Sequence, residues 1–190
     1  MVEEKIVTVF GSSRPQAGDP DYEEARALGK ALAERGFAVC SGGYGGVMEA
    51  VSRGAKEGCG KVYGVTAEFF ARGANSWVDV EVRKKTWEER LFELIRLGDG
   101  FVACKGGTGT LVELAVVWEM LNKSVIGAKP CAVLGEFWQP ILDRVREVEQ
   151  GPGAATGSRA WGEANGNLVH SAGSAEEAAE YLAMSLKSAK

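Results

Sequence analysis

No two cysteines in the chain stand at C-x-x-C spacing. Cys40, Cys59, Cys104 and Cys131 are scattered, so neither a zinc knuckle nor a dithiol redox motif is indicated, and no metal or cofactor is expected. Cys40, Cys104 and Cys131 each lie in or beside an apolar run, where a free cysteine acts as a small hydrophobe. No apolar run approaches the roughly 20 residues a membrane helix needs. The opening Met1-Val2-Glu3-Glu4-Lys5 has acid where a secretion signal would carry positive charge, so the cytoplasm is the expected location. Positive charge is not in excess either. The 22 Lys and Arg against 26 Asp and Glu leave a net charge of -4, which argues against a chain built to coat nucleic acid or an anionic membrane. Histidine occurs once, as His170, on a late predicted strand, and reads as packing or surface rather than catalysis. Internal repeats are absent. So are the Gly-x-Gly-x-x-Gly spacing and a P-loop ending in Gly-Lys-Ser/Thr, which weighs against NAD-binding and ATP-hydrolysing readings.

What is present is an ordinary globular composition, 45% apolar and 25% charged over 190 residues, enough for a single domain with a substantial core. Short apolar runs at 5–10, 37–40, 62–65, 100–104 and 131–134 read as strands, with 78–82 and 167–171 as further short ones. Between them 22–35, 47–57, 86–97, 110–121 and 137–148 carry helical spacing. Ser174 with Glu177 three residues on is a capping-box signature for a last helix at 175–186. The stretch 151–167, rich in Gly, Ala, Ser and Asn, reads as a surface loop. Strand–helix alternation with short connections predicts a Rossmann-like α/β fold: a doubly wound parallel sheet with helices on both faces.

In such a sheet ligands bind beyond the carboxyl ends of the strands, near the point where strand order switches. Three glycine-rich turns follow predicted strands: Gly11-Ser12-Ser13-Arg14, then Ser41-Gly42-Gly43-Tyr44-Gly45-Gly46, then Gly106-Gly107-Thr108-Gly109-Thr110. A glycine-rich turn feeding a helix offers free backbone N–H groups at the positive end of the helix dipole, which suits a phosphate. The same turns also serve where a chain needs positive φ; their convergence on one sheet edge favours the anion site. Arg90 shares the inward stripe of Trp87, Leu91, Leu94 and Leu97, so it must find an anion there, either an internal carboxylate or a ligand. Glu113 reads as sitting in the first turn of the helix after Gly109-Thr110, beside the proposed phosphate turn, where an ordinary helix-start glutamate is the other reading. That helix is apolar on nearly every face, and a homodimer packing such helices is the simplest account.

Taken together these residues resemble the Lonely Guy (LOG) family. Its Pro-Gly-Gly-x-Gly-Thr-x-x-Glu signature is matched from Gly106 to Glu113, with Lys105 in place of the proline. Its Gly-Gly-Gly-x-x-Gly-Leu-Met-Gly segment is similar to Ser41 through Glu49, its Gly-Ser-Ser turn to Gly11-Ser12-Ser13, and its Met-His-x-Arg-Lys segment falls on Trp87 to Leu91. The resemblance implies a homodimer that hydrolyses the N-glycosidic bond of nucleoside 5′-monophosphates, cytokinin riboside monophosphates among them. It makes Arg90 and Glu113 the catalytic pair and Gly106 to Thr110 the 5′-phosphate cradle. Lys105, Glu88, Leu91 and Glu49 depart from the pattern. A different class, a non-catalytic binder of a nucleotide or related phospho-ligand, is the alternative. A lysine decarboxylase would need a pyridoxal Schiff-base lysine, and no local pattern singles one out.

Overall fold

The structure, a computed structural model, describes residues 4–150 and 168–187; the expected loop 151–167 lies outside them. The seven strands β1 (Ile6–Phe10), β2 (Ala38–Ser41), β3 (Val62–Ala67), β4 (Val80–Lys84), β5 (Gly100–Ala103), β6 (Cys131–Leu134) and β7 (Val169–Ala172) form one sheet in the order β4-β3-β2-β1-β5-β6-β7. Every pairing is parallel. The helices are α1 (Pro20–Glu34), α2 (Val47–Glu57), α3 (Trp87–Leu97), α4 (Thr108–Asn122), α5 (Gln139–Gln150) and α6 (Ala175–Lys187), and a 3-10 turn, Glu68–Phe70, follows β3. This is the doubly wound α/β fold the strand–helix alternation predicts. Among the described residues no helix is long and apolar enough to cross a membrane.

The central strands β1, β2, β5 and β6 are buried almost end to end, as a parallel sheet covered on both faces requires. Alternation along β1 divides the core. Val7 and Val9 pack with Leu28, Val51 and Leu182 under α1, α2 and α6, while Phe10 packs with Leu94, Leu114 and Leu142 under α3, α4 and α5. Cys40, Cys104 and Cys131 are buried and their thiols are pushed up to about 12 by desolvation, so they stay neutral packing groups.

Several boundaries differ from the sequence expectation by one to three residues, and for two the physical reason is visible. The edge strand β4 starts at Val80 rather than 78, because the Asp79 carboxylate itself accepts the Val62 N–H at 2.8 Å and ladder pairing begins beyond it, at Tyr63 with Val80. Helix α4 starts at Thr108 with Gly107 as its extended N-cap. Glu113 therefore lies in the second turn of α4 and not the first.

The chain runs from β1 outward through β2, β3 and β4, and then α3 carries it back across to β5 on the other side of β1. Strand order thus switches between β1 and β5. The connections leaving their carboxyl ends diverge to opposite faces, opening a crevice at that edge.

Candidate functional site

A cleft of about 1050 Å³ lies at this switch point, at the upper end of the roughly 300–1,000 Å³ usual for small-ligand sites. Two glycine-rich turns form its floor. Ser12 N–H after β1 donates to the Lys105 carbonyl after β5 at 3.2 Å, which ties them together. Gly11, Ser12 and Ser13 from the first turn and Gly106, Gly107, Thr108, Gly109 and Thr110 from the third all border the space.

The α4 end of the cleft presents an uncapped helix terminus. Its N-cap is glycine with no side-chain cap, and there is no acid in its first turn; the leading amides therefore have no protein acceptor of the usual kind. A Cβ added at Gly107 or Gly109 would meet nothing within 4 Å, whereas at Gly106 it would run into Thr110 Oγ1 at 2.2 Å. The turn is packed from behind by Thr110, which is buried, and open in front.

The second turn does different work. Gly42, Gly43, Gly45 and Gly46 do not border the cleft; Tyr44 and Met48 do. A Cβ on Gly46 would strike Ser12 O at 2.4 Å, and Gly46 has φ +69, so this residue lets the second turn support the first, with the Val47 N–H on Ser12 O at 2.8 Å. A Cβ on Gly42 would fall 1.8 Å from Arg90 Nη2. Glycine there makes the room in which the arginine lies.

Arg90 stands on the first turn of α3, whose start is fixed by a capping box in which Thr86 Oγ1 accepts from the Glu89 N–H at 3.2 Å and Glu89 accepts from the Thr86 N–H at 3.4 Å. The residue is 6% exposed. Its Nε donates to the Val65 carbonyl at 2.8 Å, and its Nη1 lies 3.7 Å from Glu113 Oε1. The guanidinium sits over the rings of Tyr44 and Phe70, 5.4 and 5.8 Å from their centroids. Tyr44 is itself held by its hydroxyl, which accepts from the Ala67 N–H at 2.9 Å, and by Asn75, whose amide donates to the Gly43 and Tyr44 carbonyls. Burial pushes Glu113 up to about 7, against the pull of Arg90 in the other direction; burial likewise lowers Arg90. A carboxylate shifted toward neutrality beside a buried arginine is an arrangement that recurs at functional sites and also in internal ion pairs.

Positions that depart from the family pattern fall mostly outside the cleft. Glu49 accepts from the Tyr22 hydroxyl at 3.2 Å, Glu88 is exposed, and Leu91 is core. Lys105 borders the cleft and pairs with Asp21 at 2.9 Å. His170 lies on β7, stacked on Tyr181, away from the switch point. Sequence reasoning missed one wall altogether. Phe69, Phe70 and Arg72 on the connection after β3 face the cleft with Trp87 and Phe137. The adjacent Phe69-Phe70 pair, apolar residues in a connection without strand or helix period, was the available signal.

The fold defines a Rossmann-like α/β protein with a cleft at the strand-order switch. The chain belongs to the SLOG cluster4 family, whose model matches residues 4–151. A cytokinin riboside 5′-monophosphate phosphoribohydrolase of Rhodococcoides fascians is 31% identical over 152 residues, covering 76% of this chain and 75% of that protein. The rice (Oryza sativa subsp. japonica) protein of the same name, LOG, is 36% identical over 146 residues, 73% of this chain and 58% of its own length. Among solved structures, the molybdenum cofactor binding protein of Rippkaea orientalis superposes with a TM-score of 0.74 at 25% identity, over 99% of this chain and 98% of that one.

Proposed function

We propose that the protein hydrolyses the N-glycosidic bond of nucleoside 5′-monophosphates, releasing the free base and ribose 5-phosphate. The observation that carries this reading is the Arg90–Glu113 pair, 3.7 Å apart, bordering the same cleft as the open amino end of α4. The 5′-phosphate would rest on the α4 amides and the Thr108 hydroxyl, where the helix dipole favours negative charge. Bond cleavage builds positive charge on the ribose, and the Glu113 carboxylate stabilises it. With its proton affinity near neutrality, Glu113 also takes the proton of the attacking water as a general base, and the departing base takes up one proton from solvent as the bond to it breaks. Arg90, held by Val65 and the two rings, fixes that carboxylate in place. The curated relatives named as phosphoribohydrolases support the reading.

A second reading, a non-catalytic carrier of a phosphorylated ligand, has its own support in the end-to-end likeness to a molybdenum cofactor binding protein. Base release from AMP, GMP, CMP, UMP and isopentenyl-AMP separates the two, with Glu113→Ala and Arg90→Ala run beside wild type. Release that vanishes in both folded variants supports the hydrolase. No release from any nucleotide, with AMP raising the melting temperature, leaves the carrier standing.

We propose in addition that the working form is a homodimer joined through α4. Leu111, Val116 and Met120 are only half-buried on that helix and Val112 is exposed, so an apolar strip remains uncovered.

A further inference from the structure

Arg90 is charged, buried and thinly tied. Among the described residues its side chain makes one hydrogen bond to oxygen, from Nε to the Val65 carbonyl at 2.8 Å. The tip of the guanidinium has only longer contacts, Nη1 at 3.7 Å from Glu113 Oε1 and Nη2 at 3.9 Å from the Met48 sulfur. A single bond at Nε leaves the fork free to pivot, and burial favours a pivot toward water, where the charge is solvated. Two rings stand against that motion, Tyr44 and Phe70, and they are not equally firm. Phe70 is exposed on the 3-10 turn after β3 and meets Tyr44 edge-on. Tyr44 is half-buried and fastened at both ends.

At the ring end, the Tyr44 hydroxyl accepts from the Ala67 N–H at 2.9 Å and donates to the Ala67 carbonyl at 3.3 Å. At the backbone end stands Asn75, on the connection between β3 and β4 and outside the cleft lining. Its amide donates to the Gly43 carbonyl at 3.1 Å and to the Tyr44 carbonyl at 2.9 Å. Its backbone N–H donates to the Gly43 carbonyl at 2.7 Å, and its Oδ1 accepts from the Trp77 N–H at 3.0 Å. Both amide hydrogens are thus spent on the second glycine turn. A clamp of this kind needs two donors on one nitrogen with an acceptor beside them. Aspartate has the same shape and would set a carboxylate oxygen against two carbonyls.

We propose that Asn75 is a positioning residue for the Arg90–Glu113 pair: it fixes Tyr44, and the Tyr44 ring keeps the Arg90 guanidinium on Glu113. Its effect on turnover rests on the hydrolase reading of that pair, and the inference goes beyond that reading by assigning a residue that does not border the cleft.

The Arg90 side chain itself reports on the clamp. Its Nε–H is bonded and buried, so it should give a proton–nitrogen cross-peak slow to exchange with water, identified by its loss in Arg90→Lys. Asn75→Ala is expected to speed that exchange about tenfold, the scale of a lost cation–π contact. In the hydrolase it should also lower kcat by about tenfold while KM stays near wild type. Tyr44→Leu should do the same. Adding Asn75→Ala to it should change nothing further, because the clamp then has no ring to hold. Asp79→Ala loosens the other end of the same connection, where the carboxylate accepts from the Val62 N–H, and should leave the Arg90 exchange rate at its wild-type value. A folded Asn75→Ala protein that keeps Arg90 protected overturns the proposal. So does an equal loss of protection in Asp79→Ala, or an Asn75→Ala effect that persists in full on the Tyr44→Leu background. Should Asn75→Ala fail to fold, Asn75→Ser takes its place, with a smaller loss expected, and full protection there overturns the proposal in the same way. Exchange is read without nucleotide, so an absence of base release removes the hydrolase reading and leaves this test in force.

Discussion

Glu113 carries a conflict between stability and chemistry at the scale of one side chain. Its folded-state proton affinity is raised from the ordinary 4.5 to about 7 by burial. A raised value means that the folded state holds the proton longer than the unfolded chain does. The associated stability is fully present below about 4.5 and is lost as pH rises through about 7. Glu113→Gln, which mimics the protonated form, should therefore match wild type at pH 4.5 and exceed it at pH 8 by up to about 3 kcal/mol. Urea melts at the two pH values check this. A Gln variant less stable than wild type at pH 8 would mean that the ion pair with Arg90 outweighs burial. The same group should leave a kinetic trace. If its carboxylate is the working form, kcat/KM for base release should rise with pH along a limb centred near 7, and a flat profile from pH 5 to 8 would remove Glu113 from the role of base.

At the scale of the element, the second glycine turn shows how one loop can be legible while its packing role is not. Its glycines announce a tight turn at a strand end. What they are for depends on partners far along the chain, Arg90 for Gly42 and Ser12 for Gly46, and no local pattern encodes such approaches. The consequence is testable within this one turn. A Cβ at Gly42 meets the far end of the Arg90 side chain and the Met48 sulfur, both able to swing aside. Gly42→Ala should keep its melting point within a few degrees and lose roughly a hundredfold in turnover, because the guanidinium is displaced. At Gly46 the added Cβ meets backbone, at a φ of +69. Gly46→Ala should cost about 1–3 kcal/mol of stability. Thermal melts and base-release rates on the two variants separate displacement from strain, and a Gly42→Ala protein with full turnover would show that the position of Arg90 is not critical. The aromatic wall escaped the sequence for a similar reason. Phe69 and Phe70 gain meaning only when β3 brings them over Tyr44 and Arg90, where the Phe70 ring meets Tyr44 edge-on at 5.4 Å. Strand and helix periods were readable because they repeat within the segment itself, as in the alternation of β1 between its two cores.

At the scale of the whole molecule, the layer of α3, α4 and α5 is unevenly finished. Its inner side is sealed by Leu114, Val117 and Leu121 against the sheet. Its outer side leaves Val112 on α4 and Phe92 on α3 exposed to solvent, and the buried Trp118 indole N–H has no hydrogen-bond partner among the described residues. Exposed apolar side chains on this layer are covered if a second copy packs there. A symmetric pairing of the same face on two chains is the commonest closed arrangement. Val116, half-buried on this helix, is the position at which to test it, because a charge there is tolerated at a wet surface and strongly opposed in an apolar interface. Light scattering after size exclusion should give the mass of two chains for wild type and of one for Val116→Lys at the same concentration, with far-ultraviolet circular dichroism unchanged. A wild-type protein that runs as one chain at tens of micromolar, or a Val116→Lys variant that still pairs, would place the interface elsewhere or remove it. The Arg90–Glu113 pair lies on this same layer, from α3 and α4, so loss of pairing should also loosen its geometry. The dissociated variant is then expected to lose turnover by about tenfold or more, even though Val116 does not border the cleft.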